Sequence, residues 1–70
     1  MDTNLQLQLA AEAGMLDDYK YHLGMVENPL PFGRFRLLKD QLDRHLSADP
    51  DGNDDWRTPK INELCRILGY

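Results

Sequence analysis

The chain has one cysteine, Cys65, among its 70 residues, so no disulfide can close within it. A lone cysteine on an apolar helical face is ordinarily a small buried hydrophobe, and it fits a reducing compartment better than a secreted one. Long apolar runs are lacking too. No stretch reaches the roughly 18 residues that a membrane span needs, and no basic-then-apolar start marks a signal peptide. The expectation is a cytoplasmic protein with no membrane contact. Bases are scarce: 8 Lys and Arg stand against 12 Asp and Glu. Binding to nucleic acid rests on an excess of bases facing phosphates, so this balance disfavours it. Paired metal-ligand spacings such as Cys-x-x-Cys are missing, and Gly33 and Gly52 stand alone rather than in a phosphate-cradling loop. Neither metal nor cofactor is expected.

A chain this short hides only about 60% of its unfolded surface. With no disulfide to help, regular helix packing or self-association must supply the margin of stability.

What is present is helical periodicity. Leu5, Leu9, Leu16, Tyr19, Leu23 and Val26 follow a four-then-three spacing broken only at Glu12, as in an amphipathic helix. Gly14 and Gly24 oppose a single helix over this span, each costing about 1 kcal/mol relative to Ala. A break at Gly14 is favoured, giving helices over residues 3–13 and 15–27. Asn28-Pro29-Leu30-Pro31 ends the helical region, because the residue before each Pro is pushed out of the α region. Pro31 then suits the first position of a helix over residues 31–46, with Phe35, Leu38, Leu42 and Leu46 as its apolar stripe. Asp40 and Arg44 pair one turn apart on its wet side. A last helix over residues 59–68 carries Thr58 as N-cap, Pro59 at its first position and Gly69 as its stop. Ile61, Leu64, Cys65 and Leu68 share its buried face. No strand candidate survives, and the expected fold is an all-α bundle of three to four short helices in a single domain.

The run Leu7-Gln8-Leu9-Ala10-Ala11-Glu12-Ala13-Gly14-Met15-Leu16-Asp17-Asp18-Tyr19-Lys20 resembles the helix–turn–helix core of one ankyrin repeat. No second copy follows at the repeat spacing of about 33 residues. The resemblance is one of geometry: small Ala10 and Ala11 let two helices approach, and Gly14 turns the chain.

Residues 47–57 form an acidic loop, with Asp49, Asp51, Asp54 and Asp55 and no base before Arg57. A Pro-Asp-Gly turn accounts for part of it. Set against an EF-hand, Gly52 takes position 6 and Asp49, Asp51, Asn53 and Asp55 take positions 3, 5, 7 and 9. Ser47 at position 1 is a weak ligand, and Thr58 at position 12 replaces the bidentate Glu, so the loop reads as a solvated connector.

Catalytic constellations are absent from the pattern. His22 and His45 lie far apart with no Ser or Cys at a telling spacing, and Asp18 one turn before His22 makes an ordinary helix-surface pair. Docking residues fare better, since binding hot spots are enriched in Trp, Tyr and Arg. Phe32, Arg34 and Arg36 have no evident structural duty, and Trp56-Arg57 closes the acidic loop beside Asp54 and Asp55. These seven residues are the expected partner-binding set. The expected function is that of a non-enzymatic accessory protein of bacterial or phage style, docking on a larger protein and inhibiting or modulating it. A homodimer along the Leu5–Val26 seam fits the small core. The alternative is a small dimeric DNA-binding regulator, although about twelve residues with four Asp stand where a helix-turn-helix has a turn of about three or four.

Overall fold

The computed structural model describes residues 2–49, 51–52 and 55–70. Four helices follow in order: α1 Thr3–Glu12, α2 Leu16–Met25, α3 Phe32–Ala48 and α4 Arg57–Leu68. No strand occurs among the described residues. The fold is a small all-α bundle, and the first helical region is two helices, not one.

The break falls at Gly14 for a local reason. Its φ of +72° is open to glycine and strained for other residues. There the Gly14 N–H donates to the Ala11 carbonyl at 3.1 Å and the Met15 N–H to the Ala10 carbonyl at 2.8 Å. This is the Schellman arrangement, which satisfies the last carbonyls of a helix. The same arrangement closes α4, where Gly69 has φ +91°. Its N–H reaches the Arg66 carbonyl at 3.3 Å, and the Tyr70 N–H reaches the Cys65 carbonyl at 2.8 Å. Gly69 is constrained twice, because a Cβ there would lie 2.9 Å from Met25 Cβ. The end of α4 is pressed against the end of α2.

Helix starts differ from the sequence expectation. Asp2 caps α1, its carboxylate accepting the Leu5 N–H at 3.3 Å. Pro31 stands just before α3 with an extended ψ of 150°, so the helix begins at Phe32. Pro31 has no side chain that can cap, and Gln6 of α1 takes over: its Oε1 accepts the Phe32 N–H at 2.7 Å. Thr58 is not the N-cap of α4. The backbone of Trp56 is already helical (φ −68°, ψ −21°), so winding starts ahead of Thr58 and places it in the first turn. Pro59 is tolerated there because the N–H groups of a first turn lack helical partners anyway. With α3 running on to Ala48, the acidic connector shortens to residues 49–56.

The core is Ala10, Tyr19, Phe32, Phe35, Leu42, Leu64 and Leu68, with His22 fully buried among them. Ala10 is fully buried, and its small side chain lets α1 approach its neighbours. Tyr19 meets Phe32 and Phe35 edge-on at 5.5 and 5.2 Å between ring centroids, the arrangement that aromatic quadrupoles favour. His22 lies over Phe35 at 5.0 Å. The expected α3 stripe holds at Phe35 and Leu42 and fails at Leu46, which is 48% exposed. The Leu5–Val26 seam is split as well. Tyr19 turns into the core, whereas Leu5 and Leu9 remain 48% and 39% exposed.

Polar groups lock the connector between α2 and α3. The Tyr19 hydroxyl donates to the Leu30 carbonyl at 2.5 Å, and the Leu30 N–H donates to His22 Nε2 at 2.9 Å. His22 Nδ1 then donates to the Leu68 carbonyl at 2.9 Å. One buried imidazole therefore ties α2, the connector and the end of α4 together. It is not the surface partner of Asp18 that the spacing suggested. Burial of the neutral phenol pushes the Tyr19 pKa above its ordinary value. On α3, Lys39 lies over the Tyr70 ring at 5.0 Å and 3.6 Å from Asp43. Partial burial acts to lower the Lys39 pKa, but Tyr70, Asp43 and Asp18 together outweigh it and hold the amine above its usual range. The expected Asp40–Arg44 pair forms at 3.3 Å; both side chains are exposed, so it contributes little.

Candidate docking surface

Where α3 ends and α4 begins, three side chains converge. The Arg57 guanidinium sits 4.3 Å from the centre of the Trp56 ring, within cation–π range. The same guanidinium approaches His45 Nδ1 at 3.1 Å. Arginine has no acceptor to offer, so Nδ1 must accept and the ring proton sits on Nε2. His45 in turn meets Trp56 edge-on at 6.1 Å. Arg57 is thereby held over one ring and hydrogen-bonded to the nitrogen of another, and less of its flexibility remains to be lost on binding. Trp56 stays 58% exposed. The result is a rigid, amphipathic edge with an indole on its outer side and Asp55 next to it, also exposed.

The other expected docking residues lie elsewhere. Arg34 and Arg36 are exposed in the first turns of α3. Two residues apart on a helix, they point to nearly opposite flanks. Eleven residues separate Arg34 from His45, roughly 16 Å of helix axis, so neither arginine joins the Trp56–Arg57 edge. Phe32 does have a duty in the fold: it is 4% exposed and packed on Tyr19. Asp54 lies outside the described residues. The expected set therefore divides into a core residue, two separated arginines and one compact edge.

Comparison with protein-family models, with curated proteins and with solved structures returns no match. The geometry of the surface must carry the functional reading alone.

Open hollows mark the described surface. The first, about 420 Å³, lies between α1 and α3 beside Leu9, Ala13, Phe32 and Gly33, with Glu12 and Arg36 at its rim. A second of about 400 Å³ follows the α1–α2 turn at Asp17 and Asp18. The third, about 130 Å³, is edged by Gln41, His45, Lys60 and Glu63. No group of three metal-binding side chains occurs among the described residues. The EF-hand frame fails in its first ligand, because Ser47 is wound into α3. No helix of the described residues is long and apolar enough to cross a membrane.

Sequence reasoning missed His22, Gln6 and the first hollow. Gln6 lies between Leu5 and Leu7 in a run where Gln and Leu alternate, and that alternation gives no helical-period signal for it. His22 falls on the buried side of α2, three residues after Tyr19, and that i,i+3 spacing was the available clue.

Proposed function

We propose that the protein is a non-enzymatic interaction module of the cytoplasm that docks on a larger protein through the Trp56–Arg57 edge and modulates it. The observation that carries this reading is the exposed Trp56 ring stacked on an Arg57 already fixed by His45. Trp and Arg dominate binding hot spots because they bury much area at small entropic cost. Both ring nitrogens of His22 and Nδ1 of His45 are engaged in structural bonds, which leaves little for proton transfer. Cys65 packs against the core and supports the same reading. The partner surface is better read as protein than as duplex DNA, since exposed Asp55 next to Trp56 would repel phosphates.

The test is affinity capture from the organism of origin with three baits: the wild type, Trp56→Ala and Thr58→Ala. One protein should be retained by the wild type and by Thr58→Ala and lost with Trp56→Ala. Equal retention by all three baits would place docking elsewhere.

A further inference from the structure

His45 is the joint of the docking edge, and the chemistry of its ring makes that joint depend on a proton. Its Nδ1 lies 3.1 Å from the Arg57 guanidinium. A guanidinium only donates, so the bond exists only while Nδ1 keeps a lone pair and carries no proton. Trp56 stands edge-on to the same ring at 6.1 Å, and Arg57 lies 4.3 Å from the centre of the indole. The three groups close a triangle in which the imidazole is the member that changes charge between about pH 5 and 8.

We infer that His45 is a proton switch on the Trp56–Arg57 edge: neutral, it seats the guanidinium, and protonated, it releases it. A proton taken from water by Nδ1 removes the acceptor and sets one N–H against another. It also brings a second cation to 3.1 Å from the first, where like charges repel. Ring and guanidinium must then move apart. The Trp56 face still attracts Arg57, so the edge loosens and its rigidity is lost.

The surroundings leave Arg57 as the group that meets the new proton. Among the described residues, α4 also sets Lys60 and Glu63 at the hollow beside His45. Both are exposed, and salt screens them. In the connector, exposed Asp55 precedes Trp56. At the end of α3, Asp49 follows His45 by one turn and its N–H donates to the His45 carbonyl at 3.1 Å. Arg57 is half-buried and in direct contact with the ring nitrogen. The consequence for docking rests on this edge being the docking site, whereas the switch itself is a property of the free protein.

Trp56 is the chain's single tryptophan, so its emission reports on the switch in the full chain without a partner. Between about pH 8 and pH 5 the emission of the wild type should change in one step. Nitrogen–proton spectra of the same samples should show the His45 Nδ1 gaining its proton through that step, while circular dichroism shows helical content unchanged. His45→Gln keeps an oxygen that can accept from Arg57 but cannot titrate, and its emission should show no step. A flat wild-type emission overturns the inference, as does the same step in His45→Gln or a loss of helix that accompanies the step. With the captured partner protein, affinity should fall by about 5-fold or more over the same pH range in the wild type and should not vary with pH in His45→Gln. A His45-dependent step in emission with no change in affinity would uphold the switch and refute the docking reading.

Discussion

The imidazole of His22 donates to the carbonyl of Leu68 at 2.9 Å across 46 residues of sequence. The Schellman turn leaves this carbonyl near the end of α4 open to a tertiary donor. His22 Nε2 meanwhile accepts from Leu30. Replacing the ring by Leu would leave a buried N–H and a buried C=O without partners, at about 1–3 kcal/mol each. His22→Leu should therefore lower unfolding free energy by about 3 kcal/mol in a denaturant titration. Nitrogen–proton correlation spectra of the wild type should place the ring proton on Nδ1.

Two glycines make opposite predictions. At Gly69 an added methyl meets Met25 Cβ at 2.9 Å on a backbone of φ +91°, so Gly69→Ala combines strain with overpacking and should cost about 2 kcal/mol. Gly24 lies within α2 with open space around its Cβ position and no positive φ. Gly24→Ala should stabilise by about 0.5 kcal/mol. Thermal melts of the pair should move in opposite directions.

Helix starts can be checked the same way. Thr58 lies inside α4 and not at its N-cap, so Thr58→Ala should shift stability by less than about 0.5 kcal/mol. Asp2 does accept a backbone N–H, and Asp2→Ala should cost about 0.5–1 kcal/mol. Equal melting of both variants would mean that α1 is not capped in this way.

Alkali should find Tyr19. Its pKa is raised above the ordinary value of 10.0 by burial, so the native state holds the phenolic proton more tightly than the unfolded chain does. The stability this contributes is fully present below about pH 10 and is lost as pH rises through the higher native value. Denaturant midpoints should fall above that point in the wild type, and the fall should be smaller in Tyr19→Phe. A late step in phenolate absorbance should vanish with the same substitution.

Helix number, the break at Gly14 and the stop at Gly69 were legible in the sequence because glycine and proline act locally. The buried face of α4 was legible for the same kind of reason, since Leu64 and Leu68 recur with the helical period. Helix starts were less so: Thr58-Pro59 is a good local signal, yet Trp56 is already helical, stacked on Arg57 and turned toward His45. Tertiary contact overrode the local preference. Phe32 and His22 were misread because their duties are set by distant partners, Gln6 for the Phe32 backbone and Leu68 for the His22 ring. Exposed Leu5 and Leu46 show the converse, where a correct helical stripe runs past the neighbours that would cover it. Among the described residues of the expected docking set, the compact unit is the Trp56–Arg57 pair, and those two residues are adjacent in the chain.

The docking edge is the central claim, and one titration addresses it most directly. The protein captured by the wild type is purified and titrated by calorimetry against the wild type and Trp56→Ala. Trp56 is largely exposed, so its loss should leave the melting temperature nearly unchanged while affinity falls by at least about 10-fold, as for a hot-spot residue. Equal affinities for the two proteins would contradict the account.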